Sequence, residues 1–290
     1  MKHFLVPIEI VLAIIFSLML AIGCSGQTFG DFRADQPFLA KNISPASAGG
    51  CGGQSPDDLA GLKVWLDCYS LLIDVDGDAP ANADELGLWG DKSGNGYDHT
   101  NATTFGWTYW TTGGPTNGPV IKPATQDDLM VNYDVEFTAL STFFFVLKTP
   151  LATDELTSYF WQSTNLAWRA WRSKFGSSPV VSQDNALRLG ADLTDSAHIP
   201  GSSWVILSMH FNTNSSWIRT NGATSVSGNG GTVYSTKGSV LGNNWPAFRV
   251  YSGVINEFIV FDSNFDTNNA AVVEQYLSCK YSITNSVLHP

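Results

Sequence analysis

Charge is scarce in this sequence, and what there is leans acidic. Only 14% of its 290 residues are Asp, Glu, Lys or Arg, and 26 acidic against 15 basic side chains leave a net charge of −11. A chain this poor in cations has no basic footprint for a phosphate backbone, which excludes nucleic acid as a partner. The usual signatures of catalysis are missing too. There is no E-x-D-x-x-E run of the glucanase type, no G-x-S-x-G, and no H-E-x-x-H among His3, His99, His198, His210 and His289. The four cysteines, Cys24, Cys51, Cys68 and Cys279, include no C-x-x-C pair, which argues against a zinc site. Disorder is excluded by the opposite kind of observation. With 43% apolar residues, including 17 Phe and 10 Trp, the chain has ample surface to bury. Those aromatics, set among 27 Gly and many Asn, Ser and Thr, describe an extracellular β-protein with many loops and no enzymatic motif.

The N-terminus is an address or an anchor. Met1-Lys2-His3 is a short basic start, and Phe4 to Gly23 is apolar apart from Pro7 and Glu9. That is the form of a secretory signal with its apolar stretch over Ile10 to Ile22. Ala21-Ile22-Gly23 suits signal peptidase, and Ala21-Ile22-Gly23-Cys24 resembles a bacterial lipobox, which makes Cys24 a lipidation candidate. A retained membrane helix is the competing reading, since about 20 apolar residues span a bilayer. Glu9 counts against it at roughly 2.5–3.5 kcal/mol if placed mid-membrane. A pilin-like leader with its lone Glu is a further alternative, although the Gly cleavage site is missing. All but the retained helix imply export by processing, and all place the rest of the chain outside the cytoplasm. Residues 25–56, rich in Gly, Ser, Ala and Gln, read as a flexible arm or tether.

From Leu62 onward the pattern is β. Lys63 to Asp67 is a short strand candidate. Ser141 to Lys148, Trp204 to Phe211 and Val254 to Phe261 are apolar runs of strand length, as expected for buried sandwich strands. Ser216 to Thr220 before Asn221-Gly222 reads as one arm of a hairpin. Near the end, Asn268 to Lys280 carries no Gly or Pro and follows Asp266-Thr267, either of which can cap a helix. Val273, Leu277 and Lys280 share one face of that helix. Short turn clusters between the strands point to a β-sandwich or jelly roll. Residues 57–285 form one such domain, followed by a tail over 286–290.

Four blocks make the pattern recognisable. They are Pro56-Asp57-Asp58-Leu59-Ala60-Gly61-Leu62-Lys63-Val64-Trp65-Leu66-Asp67, Trp89 to His99 (WGDKSGNGYDH), Gly253 to Asp262 (GVINEFIVFD) and Glu274 to Tyr281 (EQYLSCKY). Together, and in this order, they resemble the laminin-G-like, concanavalin-A-like jelly-roll domains of bacterial surface and phage proteins. The resemblance spans about Pro56 to Ile283. It implies an all-β jelly-roll sandwich with one C-terminal helix packed across the sandwich, and a structural role for Glu257. It says little of function, because one fold hosts unrelated activities. Cys68 and Cys279 are inserted in the first and last blocks, so the resemblance also implies a Cys68–Cys279 disulfide, with two buried free thiols as the alternative.

Several residues are candidates for a site. Asp74, Asp76, Asp78, Asn82 and Glu85 follow the 1, 3, 5, 9, 12 spacing of a calcium loop, with Ala79 where Gly is usual; Ca²⁺ is the implied cofactor, and a solvated acidic turn the alternative. Asp91 with Gly94 and Gly96 reads as a structural turn. Trp107, Tyr109 and Trp110 are candidates for a sugar-stacking platform, against a plain core role; alternation puts Trp107 and Tyr109 on one side and Trp110 on the other. His210 reads as a satisfied core residue. Asn42, Asn101 and Asn214 head glycosylation sequons. The expectation is an exported, surface-tethered, non-catalytic recognition or adhesion protein that binds carbohydrate. The alternative is a structural subunit that polymerises into a filament or surface layer by laying its arm on a neighbour's open sheet edge. A viral or phage surface protein is a third reading.

Overall fold

The long apolar runs pack on both faces, which decides the architecture. In a computed structural model of the chain, the described residues are 54–102, 106–124, 129–138, 140–148, 157–164, 169–175, 184–189, 193–195, 203–229, 236–242, 253–263 and 265–284. The apolar leader, the arm up to residue 53, Cys24, Cys51 and Asn42 lie outside them, while Pro56 at the end of the expected arm is buried in a short 3-10 turn. In chain order the strands are β1 (Leu62–Asp67), β2 (Leu72–Asp74), β3 (Leu86–Trp89), β4 (His99–Asn101), β5 (Trp107–Trp110) and β6 (Val120–Pro123). They continue as β7 (Leu129–Phe137), β8 (Ser141–Lys148), β9 (Thr157–Gln162), β10 (Arg169–Phe175), β11 (Asp184–Leu189) and β12 (Leu193–Asp195). The last are β13 (Trp204–Phe211), β14 (Ser216–Thr220), β15 (Ala223–Gly228), β16 (Thr236–Gly242) and β17 (Val254–Asp262), before helix α1 (Thr267–Tyr281).

Two antiparallel sheets result. The eight-stranded sheet runs β15-β14-β13-β8-β17-β6-β5, with β1 also paired to β17; the nine-stranded sheet runs β12-β11-β10-β9-β16-β7-β4-β3-β2. Between the sheets lie Phe143, Phe145 and Leu147 of β8, Val205, Leu207 and Met209 of β13, and Trp89, Trp107 and Trp161. The alternate residues Phe144, Val146 and Ile206 point the other way and meet α1 through Ala270, Val273, Leu277 and Tyr281. A strand covered on both faces needs no polar alternation, which is why β8 reads as STFFFVLK. The jelly-roll sandwich with one C-terminal helix is the fold expected from the sequence.

Local chemistry sets the joints. Asn221 and Gly222 take φ of 48° and 80°, the pair of positive values that a tight turn between β14 and β15 needs. Asp266 caps α1, its Oδ1 accepting from the Asn269 amide at 2.8 Å. Among the described residues no helix is long and apolar enough to cross a membrane. The free side of β5 is occupied: the Ala83 amide donates to the Tyr109 carbonyl (2.7 Å) and the Tyr109 amide to the Asp84 carbonyl (2.8 Å).

Candidate functional site

The four sequence blocks converge on one buried ionic cluster. Trp65 and Asp67 come from β1, Lys92 from the turn after β3, Glu257 from β17, and Lys280 and Tyr281 from the end of α1. Lys280 Nζ lies 2.8 Å from Glu257 Oε2 and 3.0 Å from Asp67 Oδ2. Lys92 Nζ adds a second contact to Asp67 Oδ2 at 3.3 Å and sits over the Trp65 ring. Trp65 Nε1 donates to Glu257 Oε1 at 2.7 Å, and the Tyr281 hydroxyl donates to Glu257 Oε2. Lys280, buried, and Lys92, whose side chain stays 38% exposed, balance the two carboxylates, so Asp67 and Glu257 tolerate burial. Burial works to push the Asp67 carboxyl up, but the Lys280 and Lys92 charges beside it hold it below its ordinary range. Burial works to lower Lys280, and the Glu257 and Asp67 carboxylates overcome it and raise it. Every carboxylate oxygen of this cluster already has a partner, so the arrangement holds α1 and β1 onto β17 and leaves no free base. Glu257 is structural, as the resemblance implies.

The neighbouring turn is structural as well. Asp91 Oδ1 accepts from the amides of Trp65 and Ser93, both at 2.9 Å, while Oδ2 accepts from the Tyr97 amide at 3.0 Å. Gly94 and Gly96 take φ of 84° and 76°, as the turn reading requires. His99 and His210 are both core residues. His99 Nε2 meets Ser239 Oγ at 2.8 Å, and His210 Nδ1 meets Thr142 Oγ1 at 2.8 Å. Burial lowers each imidazole to about 4.

Two sequence expectations need correction, the disulfide and the aromatic platform, and the calcium loop shows the bonds of a self-satisfied turn. The disulfide Cys68–Cys279 is absent: Cys68 is a free, buried thiol, whereas Cys279 is disulfide-bonded to another cysteine. Cys68 faces the inter-sheet core on β1's far end, and Cys279 lies on the exposed side of α1. The calcium spacing does not gather its residues around one point. Asp74 Oδ1 is spent on the amides of Asp76 and Asp78 (3.0 and 2.9 Å), Asn82 Oδ1 on the amide and hydroxyl of Thr111, and Glu85 Oε1 on Asn101 Nδ2 at 2.8 Å. Among the described residues no three His, Cys, Asp or Glu side chains are grouped to hold a metal ion. The aromatic platform is divided. Trp107 and Tyr109 alternate inward, 0% and 7% exposed, into the core between the sheets. Only Trp110 faces outward, half-buried beneath Lys122 Nζ at 3.8 Å.

Of the described sequons, Asn214 is exposed in the short turn Thr213–Ser215. Asn101 is not available in the same way: it is half-buried in β4, and its amide nitrogen, the atom a glycan would take, donates to Glu85.

Two arrangements had no sequence signal. One is a buried pair across the sheet and helix: Arg219 Nε and Nη2 each lie 2.8 Å from the Glu274 carboxylate, and Ser208 Oγ also donates to it at 2.8 Å. The other is a bulge in β7. Ser239 pairs with Asn132 and Lys237 with Glu136, so Tyr133, Asp134 and Val135 stand against Gly238 alone. Asn132 braces the bulge, its Oδ1 accepting from the amides of Asp134 (3.0 Å) and Val135 (2.8 Å) and its Nδ2 donating to the Asp98 carbonyl (2.8 Å). Val135 turns into the core while Tyr133 is presented at 61% exposure beside Asp134, which has Lys237 Nζ at 3.9 Å. Close by in the nine-stranded sheet, Gln162 is fully buried with neither amide atom hydrogen-bonded.

No family model matches the chain, and no curated protein matches it. Solved structures do. A mutant of Trypanosoma rangeli sialidase displaying trans-sialidase activity superposes with a TM-score of 0.50 at 13% identity, over 84% of this chain and 36% of the sialidase. Domain 4 of AbnA, a GH43 extracellular arabinanase from Geobacillus stearothermophilus, solved in complex with arabinotriose, gives 0.48 at 15% identity over 74% of this chain and 98% of that domain. The botulinum neurotoxin serotype G binding domain gives 0.47 at 11% identity, over 74% and 50% of the two chains. The chain thus spans little more than a third of the sialidase, and what the two share is a fold: the antiparallel β-sandwich.

Proposed function

We propose that this chain is an exported, surface-tethered recognition protein without catalytic activity, whose sandwich binds carbohydrate at the bulge of β7. The observation that carries this reading is the braced presentation of Tyr133. A bulge inside a sheet re-aims a side chain at the expense of ladder hydrogen bonds, and such features concentrate next to sites. Here the Asn132 side chain accepts from the amides of Asp134 and Val135, and the braced backbone presents the Tyr133 ring to solvent. A rigid phenol is an amphipathic face on which a sugar ring can stack at low entropic cost. Asp134 and Lys237 beside it supply an acceptor and a donor for hydroxyl groups. The non-catalytic part of the reading is supported by the saturation of the buried carboxylates Asp67, Glu257 and Glu274 with partners. The sialidase of like fold offers analogy only.

The test is a glycan array probed with the full chain and with Tyr133→Ala. Binding to at least one glycan class, lost in Tyr133→Ala while the melting temperature stays within about 1 °C, is the expected result, since an exposed side chain contributes little to stability. Equal binding by the variant, or no binding by the wild type to any glycan, would overturn the assignment. The polymerising alternative needs an open sheet edge for the arm; the edge at β5 is already bonded to residues 83–84, whereas β15 and β2 each end a sheet.

A further inference from the structure

The four cysteines have different fates, and the pairing follows by elimination. Cys68 is a free thiol, its Sγ donating to the Ile255 carbonyl at 3.5 Å, and burial raises it well above the ordinary thiol range. It is an inert core group, not an exchange partner. Cys279, on the exposed side of the last turn of α1, is disulfide-bonded. With Cys68 excluded, its partner is Cys24 or Cys51.

We infer that the bond is Cys51–Cys279, a staple between the start of the domain and its last helix. Reach favours Cys51. It stands three residues before Gln54, a span of at most about 10 Å. The chain that follows is already on the helix side of the sandwich. Pro56 is buried, and Leu59 and Leu62 pack against the cluster built from Ala270, Val273, Leu277 and Tyr281. Gly49-Gly50 and Gly52-Gly53 flank Cys51, giving the backbone the freedom that the narrow disulfide geometry demands. Cys24 belongs to the lipobox-like run, whose chemistry offers its sulfur to a lipid instead of to Cys279. The assignment therefore gives every cysteine one role: Cys24 for the lipid, Cys51 and Cys279 for the staple, Cys68 for the core.

Closing the bond takes one hydrogen from each thiol. Two electrons and two protons pass by thiol–disulfide exchange to a disulfide-bearing oxidant outside the cytoplasm, which leaves as its dithiol. The consequence is mechanical. With the bond closed, force on the chain before Cys51 reaches α1 through Cys279 instead of peeling β1 from β17.

Peptide mapping of the full chain, made in an oxidising compartment and alkylated before digestion, tests this. A Cys51–Cys279 peptide pair that disappears on reduction is the expected result. A Cys24–Cys279 pair, or alkylated Cys279, would overturn it. Thermal melts give a second reading. Cys51→Ser and Cys279→Ser should each lower the melting temperature by the same about 5–15 °C, with no further loss in the double variant. Cys24→Ser should leave it unchanged, and a drop with Cys279→Ser that Cys51→Ser does not reproduce would refute the pairing.

Discussion

Lys280 in the last turn of α1 meets Glu257 of β17 at 2.8 Å, and through that contact the C-terminal helix is locked to a central strand of the eight-stranded sheet. Asp67 shares the same ammonium at 3.0 Å. Removing the cation leaves the buried Glu257 carboxylate without an ammonium and Asp67 with the part-exposed Lys92 alone. Lys280→Met should cost about 3–5 kcal/mol, read as a lowered urea midpoint at unchanged m. Adding Asp67→Asn and Glu257→Gln removes the stranded charges, and the triple variant should recover part of the loss. A single variant as stable as wild type would show that the cluster contributes nothing to holding the helix.

The buried imidazoles make stability depend on pH. Both His99 and His210 sit near 4 in the folded chain, against about 6.5 when unfolded. Between those values the unfolded chain binds protons that the folded chain refuses. Stability therefore falls as pH drops from about 6.5 to about 4, by up to on the order of 3 kcal/mol per histidine. Asp67 acts lower. Its contribution is complete above about 3.9 and is lost as pH falls through its depressed folded value. Urea titrations at pH 7.5, 5.5 and 4.5 should show the first loss. His210→Asn, which keeps a polar partner for Thr142, should flatten it by about half. A midpoint that does not move between pH 7.5 and 4.5 contradicts the account.

Much of this fold could be read in the sequence because its signals are local. Ser141 to Lys148 and Trp204 to Phe211 are strands at the residues where the apolar runs stand, and Asn221-Gly222 turns the chain as that dipeptide does elsewhere. The alternation of Trp107, Tyr109 and Trp110 was legible too; which side faces the core was not, because the opposing sheet decides it. The Asp74 spacing admits two readings for a related reason. An Asp followed by amides at the second and fourth positions satisfies its own turn, and nothing in the spacing distinguishes that from an ion's cage. Cys68 and Cys279 lie in the blocks that meet at β1 and α1, but on opposite sides of the strand layer. Residues 219 and 274 are joined only by topology, so no pattern announced them.

That pair makes a clean double-mutant cycle. The Arg219 guanidinium grips Glu274 through two bonds of 2.8 Å, almost wholly out of solvent. Arg219→Met alone should cost about 3–5 kcal/mol, because the Glu274 charge remains buried with Ser208 as its remaining partner among the described residues. Arg219→Met with Glu274→Met should cost markedly less than the sum, a coupling of at least about 1 kcal/mol by denaturant unfolding. Additive losses would mean that the two side chains act through packing and not through each other.

Trp107 and Trp110 stand three positions apart on one strand and should behave as different kinds of residue. Trp107 is fully buried in the inter-sheet core, so Trp107→Ala opens a cavity that the surrounding aromatics cannot fill and should cost about 3–5 kcal/mol. Trp110 loses only its contact with Lys122 and its Nε1 bond to Thr108 Oγ1 at 2.9 Å. Trp110→Ala should therefore cost no more than about 1–2 kcal/mol. Denaturant curves of the two variants decide whether the strand is core or platform. A sugar-stacking strand gives small losses at both positions and a loss of glycan binding at Trp107, whereas the burial of Trp107 requires a large loss of stability there and a small one at Trp110.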